Sequence, residues 1–212
     1  MLIVFCGIDG SGKTTQLMEL KNRLTELGRR VYVTKQPTDW YRVDRRVRDF
    51  LCGKLEETPE LMNELVLLSA ADRCRQQNNE LIPKQNDGFI VLCDRYVYTA
   101  YSYFLARGVS DIDWLKEVNR CMRIPDITFY IDVPGMVAYD RILKRDGESA
   151  KREEKDEKRL NLIRENFLSK PWGDVENYYI LDGTKPAGVI ADEVFEVVTK
   201  HMNMCTQDSV SC

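Results

Sequence analysis

Leu2-Ile3-Val4-Phe5-Cys6-Gly7-Ile8-Asp9-Gly10-Ser11-Gly12-Lys13-Thr14 begins as an unbroken apolar run and turns abruptly into glycines and a lysine. The run over 2–6 predicts a short strand buried on both faces. Residues 7–14 fit the pattern G-x-x-x-x-G-K-[ST]. Beyond them Leu17, Leu20, Leu24 and Leu27 recur at helical spacing, and Gly28 supplies a stop, which predicts a helix over 14–27. Strand, glycine loop and helix in that order make a phosphate cradle. Glycines let successive N–H groups point inward at phosphate oxygens, and the helix N-terminus favours an anion. In such a loop the backbone of Gly7, Ile8, Asp9, Gly10, Ser11 and Gly12 wraps the phosphates. Lys13 reaches the β- and γ-phosphates of a nucleoside triphosphate, and Thr14 offers a hydroxyl to Mg²⁺. Thr15 follows on the same helix turn and is grouped with the ATP-binding residues.

Working outward, short apolar runs at 30–35, 89–93, 127–132 and 177–181 alternate with helical patterns near 43–52, 60–82, 96–106, 111–122, 135–145, 153–168 and 187–202. Alternation of this kind predicts an α/β fold with a parallel sheet and right-handed crossovers. One domain over 1–203 is expected, with 204–212 as a polar, disordered tail. The stretch 144–159 is the most charged in the chain. It reads as a short helical lid or as a solvated helix start.

The chain has 212 residues, 31% of them charged and 43% hydrophobic, with a net charge of -3. That charge gives no reason to expect attraction to nucleic acid. The 7 cysteines are scattered without a C-x-x-C pair, so zinc is not indicated; Cys6 and Cys93 lie in apolar runs and read as buried thiols of a reducing compartment. The opening run is too short for a signal peptide and no stretch nears transmembrane length, so a cytoplasmic protein is expected.

The cradle does not name the reaction. No guanine-reading N-K-x-D motif occurs. Where motor and transport ATPases carry an Asp-Glu pair, the run Val91-Leu92-Cys93 ends in Asp94-Arg95-Tyr96. Asp94 suits a magnesium ion, and Arg95 suits a second phosphate.

At this point the sequence resembles the thymidylate kinase family over nearly its whole length. The resemblance rests on the cradle, on Ala70-Ala71-Asp72-Arg73 with Ile82-Pro83, on Asp94-Arg95-Tyr96 with Thr99 and Tyr103, and on Pro125 to Pro134. It implies a five-stranded parallel sheet of the nucleoside monophosphate kinase type, ATP with Mg²⁺ as donor, dTMP as acceptor, and a homodimer. It further implies that Asp9 positions the acceptor, that Arg95 and Arg48 grip the acceptor phosphate, that Arg73 bonds the base, and that Tyr103 sits under the sugar. Pro37 and Thr99 complete the acceptor site. No basic residue lies among Ile8, Asp9, Gly10 and Ser11, so the transferred group needs a cation from elsewhere. The lid candidates are Arg141, Arg145, Lys151 and Arg152. Arg152 fits the family's arginine-then-glutamate pattern best, Arg145 comes second, and Arg141 is grouped with the ATP site.

The chain departs from that family at the base pocket. Ser69 stands where a stacking phenylalanine is usual, Phe104 where glutamine is frequent, Cys6 in place of a strand-end glutamate, and Lys35-Gln36-Pro37 in place of Arg-Glu-Pro. Base–aromatic stacking is worth ~1–3 kcal/mol, so another ring is expected to compensate, among Trp40, Tyr41, Tyr98 and Phe104. Two other readings stay open from sequence: a kinase for another nucleoside monophosphate or deoxynucleoside, and a catalytically silent ATP-binding regulator.

Overall fold

A computed structural model describes residues 1–147 and 156–208, with side chains through residue 204. In chain order the elements are β1 (Leu2–Cys6), α1 (Lys13–Glu26), β2 (Val31–Lys35), α2 (Asp39–Arg42), α3 (Arg45–Leu51), α4 (Pro59–Gln76), α5 (Ile82–Asn86), β3 (Ile90–Asp94), α6 (Val97–Ala106), α7 (Ile112–Val118), β4 (Ile127–Asp132), α8 (Gly135–Asp146), α9 (Glu157–Ser169), β5 (Tyr178–Asp182) and α10 (Ala187–Asp208). The five strands form one parallel sheet in the order β2-β3-β1-β4-β5.

Alternation of side chains along β1 divides the core in two. Leu2, Val4 and Cys6 face a layer that includes Met62, Leu65, Phe104, Ile163 and Phe167. Ile3 and Phe5 face the opposite layer, where Leu17, Leu20 and Leu24 of α1 meet Val194 and Val198 of α10. The three inner strands are covered on both faces as expected. The outer two, β2 and β5, are only partly covered, and Ile180 is 51% exposed. Edge position explains this: each has one strand neighbour and too few helices above it.

The pattern at 60–82 predicts one continuous helix, but the helix changes type near its end. α4 gives way to a π-helical turn over Gln77–Leu81 before α5. Pro83 has no N–H to return and its ring crowds the carbonyl four residues back, so the regular ladder cannot pass through it. At the C-terminus α10 runs to Asp208, past the boundary expected at 203. No glycine or proline lies between 189 and 208 to end it.

One buried carboxylate fastens the loop after β2. Asp72 of α4 is 0% exposed. It accepts hydrogen bonds from the backbone N–H of Thr38 at 2.7 Å and from the Thr38 hydroxyl, and the same hydroxyl caps α2 by accepting from Trp40 N. Hydrogen bonds to charged groups contribute roughly 1.5–3 kcal/mol. Asp72→Ala is expected to lower stability by about 2–3 kcal/mol, measured by urea denaturation with an unchanged m-value. A change below about 0.5 kcal/mol would refute the anchoring role.

Candidate active site

The loop between β1 and α1 is closed by sterics. Gly7 has φ +146°, and a Cβ there would meet Ser11 Oγ at 2.6 Å and Ile131 O at 2.8 Å; at Gly10 (φ +79°) it would meet Ala138 O at 2.5 Å. The loop therefore needs glycine at both points to lie against β4 and α8. Lys13 is 6% exposed and donates from Nζ to Ile8 O at 2.7 Å, folding back across the loop. Its pKa is lowered to about 8, chiefly by burial and next by the nearby Arg95, against the opposing pull of Asp9 and Asp94. An ammonium held so far below its ordinary value costs stability at neutral pH. A bound polyanion would reverse that cost.

Parallel pairing of β1 with β3 brings the second motif to this loop. Phe5 lies opposite Asp94, and Arg95 N donates to Phe5 O at 2.8 Å. The Thr14 hydroxyl donates to Asp94 Oδ2 at 3.1 Å, and Asp94 Oδ1 is buried without a partner. These are hard oxygen donors of the kind magnesium takes. Among the described residues no group of three or more His, Cys, Asp or Glu could hold a metal. An ion at Thr14 and Asp94 would therefore complete its shell from phosphate and water.

Arg95 stands in the left-handed region at φ 69°, which re-aims its side chain away from the strand direction. Its Nη2 bonds Asp9 Oδ1, and the Tyr103 hydroxyl donates to Asp9 Oδ2 at 3.2 Å. The guanidinium also lies 5.2 Å from the centre of the Tyr103 ring. Burial alone would favour losing its proton, but Asp9 and Tyr103 outweigh it and hold the group charged.

Two cavities meet here. One is lined by Gly10 to Gln16, Arg141, Arg145 and Lys185; the other by Gln36, Pro37, Tyr41, Ser69, Arg73, Thr99, Tyr103, Phe104 and Arg107. Asp9, Asp94 and Arg95 line both. Their junction can hold two anionic groups face to face, with cations on each side and two carboxylates between.

Most of the residues expected from sequence gather at these cavities. Thr15 lines the first, and Ile8 is buried beneath the loop. Arg141 donates to Gly10 O at 3.4 Å and to Gly183 O at 3.0 Å, bridging α8 to the loop. Arg145 lines the first cavity and pairs with Asp146 at 2.6 Å. Arg48 is not brought in: it lies exposed on α3, whose core-facing positions are Val47 and Phe50. The second cavity instead takes Arg42 and Arg107, neither of which the sequence reading singled out as a site residue. Arg107 lies over the rings of Phe50, Tyr103 and Phe104 at 5.1–5.7 Å. Its place four residues beyond Tyr103, one helical turn along α6, was the available signal. Of the candidate rings, Tyr41 and Phe104 line the cavity. Trp40 lies outside under Arg75, and Tyr98 packs on Trp172. Lys151, Arg152 and the middle half of the expected lid fall within 148–155, outside the described residues. The flanks of that segment are described: Arg164 of α9 makes a paired bond to Asp132 at 2.7 and 2.8 Å, tying α9 to the end of β4.

Comparison with known proteins gives one answer. The family model for thymidylate kinase matches residues 5–194. A probable thymidylate kinase of Pyrobaculum calidifontis is 33% identical over 204 residues, covering 95% of this chain and 97% of its own. One from Thermoplasma volcanium is 32% identical, covering 92% and 95%, and a thymidylate kinase of a Thermoanaerobacter species is 31% identical, covering 94% and 98%. A family match over residues 5–194, with relatives 31–33% identical along nearly the whole chain, places this chain, with its glycine loop and five-stranded parallel sheet, in the thymidylate kinase family.

Proposed function

We propose that this protein transfers the γ-phosphoryl group of ATP to dTMP, giving ADP and dTDP. The observation that carries the reading is the meeting of two cavities at Asp9, Asp94 and Arg95, one built on the phosphate cradle and one rich in arginine and aromatic side chains. In this reading the loop amides and Lys13 hold the donor phosphates. Arg95, with Arg42 or Arg107 nearby, receives the acceptor phosphate. Asp9 keeps Arg95 oriented until the acceptor's anion competes for it. Tyr103 packs beside the sugar, and Thr99 and Pro37 complete the wall. Thr14 and Asp94 would hold Mg²⁺, which when bound neutralises charge on the transferred group. Arg152, with Arg145 as the second choice, is assigned to the lid cation on the sequence pattern. A homodimer follows from the family resemblance. A cytoplasmic location belongs to this reading and is supported by the free cysteines among the described residues.

The direct test is a panel of ribo- and deoxyribonucleoside monophosphates with ATP and magnesium, run on wild type and Lys13→Ala. dTMP is expected as the preferred acceptor. Lys13→Ala is expected to lose at least about a thousandfold in kcat while remaining folded, because Lys13 faces phosphate rather than the core. Preference for a different base, or normal turnover by a folded Lys13→Ala protein, refutes the proposal.

Arg95→Ala separates the two cavities. It is expected to raise the acceptor KM by about tenfold or more, equivalent to roughly 1.4 kcal/mol, with ATP affinity changed by less than about threefold. A loss confined to ATP affinity would place Arg95 on the donor side.

Lys13 also sets a pH signature. Its pKa of about 8 in the protein without ATP is lowered from 10.5, so the group costs stability below that pH and the cost fades as pH rises toward 10.5. Phosphate binding favours the charged form and raises the pKa. At about pH 9, ATP binding should therefore take up most of one proton, and at about pH 7 almost none. Calorimetry in two buffers of different ionisation enthalpy reads this directly. Buffer-independent heats at about pH 9 would contradict it.

A further inference from the structure

Gln36 follows directly on β2 and is among the residues lining the second cavity, as are Ser69, Arg73 and Phe104. It is 2% exposed. Its backbone is fixed, since Gln36 N donates to Asp94 O at 2.9 Å. Its side chain is not: neither Oε1 nor Nε2 has a hydrogen-bond partner, and both atoms are covered. A carboxamide in that condition has given up its bonds to water and received nothing in return. Gln16, Gln76 and Gln85 each leave one amide atom unpaired, whereas Gln36 leaves both. Gln77 donates to Cys121 O at 2.8 Å and accepts from Arg123 N at 2.6 Å, so both ends of its amide are used. An amide buried and unpaired at both ends calls for an explanation, and in a residue that lines a cavity a bound ligand is one that supplies both partners.

The neighbouring chemistry says which ligand. Arg73 is 3% exposed and donates from Nε to Asn119 Oδ1 at 2.8 Å and from Nη2 to Ser69 Oγ at 3.1 Å, which fixes its plane. Arginine has donors only, so it calls for a carbonyl. A carboxamide offers one donor and one acceptor side by side, so it matches an N–H next to a carbonyl. An N–H flanked by two carbonyls is the imide edge of a pyrimidine-2,4-dione. Cytosine would turn an amino group toward a donor-only arginine, and adenine has no carbonyl to offer either residue.

We propose that Gln36 is a specificity-determining residue of the acceptor site, pairing its carboxamide with the imide edge of the acceptor's base. The proposal rests on the thymidylate reading and gives it a discriminating contact. Gln36 does not touch the transferred phosphoryl group. Its effect should appear in acceptor recognition, while ATP binding is left alone.

The test compares wild type and Gln36→Met on dTMP and on N3-methyl-dTMP, which keeps the ring and both carbonyls but lacks the N–H. Melting of each protein is followed without nucleotide. Wild type should favour dTMP by about tenfold or more. Gln36→Met should lose about tenfold or more in kcat/KM on dTMP, mainly through KM, and change less than about threefold on the methylated acceptor, so that the preference collapses. The ATP KM should stay constant. Because methionine removes two unpartnered polar atoms at similar volume, the variant's Tm should be unchanged or raised by roughly 2–4 °C. Equal losses on both acceptors with a lowered Tm would show a structural role and overturn the inference. Unchanged dTMP kinetics would overturn it as well. In both cases wild-type turnover of dTMP leaves the thymidylate reading standing, whereas wild type that rejects dTMP for another monophosphate overturns both.

Discussion

The pairing of β1 with β3 is the constraint from which the site follows. A parallel ladder fixes register residue by residue, and here it sets Phe5 opposite Asp94 and closes with Arg95 N bonded to Phe5 O. Two motifs more than eighty residues apart in the chain thereby leave the sheet at the same edge. The glycine loop turns into α1, and Arg95 turns through a positive φ, so the lysine and the arginine converge from adjacent strand ends. A shift of one residue would send Asp94 to the other face of the sheet and separate it from Thr14. Both strands are buried on both faces, so such a shift would force side chains of different size to repack in both core layers.

Charge at the junction is arranged in opposition. Arg95 lies close enough to Lys13 to lower its pKa, and Asp9 and Asp94 act on both. Without the carboxylates, two buried cations would repel each other. Without the cations, the carboxylates would repel incoming phosphate. Asp9 is held by Arg95 and by Tyr103, so its orientation is fixed from two sides before any nucleotide arrives. Such preorganisation is what makes electrostatic stabilisation effective. Asp72 and the Thr38 cap extend the same logic outward. They hold the loop that carries Gln36 and Pro37, so the cavity wall is positioned by α4 rather than by its own short segment.

Periodicity and punctuation in the chain were sufficient for the sheet, the glycine loop and the larger helices, because each is decided by neighbours within a few residues. The π-turn was in principle legible from Pro83, and the length of α10 from the absence of glycine and proline. The second cavity was not legible in the same way. Arg42, Arg48 and Arg107 look alike in sequence, and only the packing of α2, α3 and α6 decides which of them reach the cavity: Val47 and Phe50 take the inward positions of α3 and leave Arg48 outside. The choice among Trp40, Tyr41, Tyr98 and Phe104 was likewise a matter of which helix face turns toward the sheet.

The sequence by itself thus determined the α/β class, the phosphate cradle with Lys13 and Thr14, and the family, since glycine conformational freedom and strand–loop–helix order are local properties. Only the tertiary structure decided that Asp94 meets Thr14, that Asp9 and Tyr103 hold Arg95, and that Gln36 is buried with its amide unpartnered at the cavity wall. Those facts depend on strand register and helix packing between segments far apart in the chain. A hydrogen-bond partner supplied from such a distance leaves no mark in the local pattern of either segment.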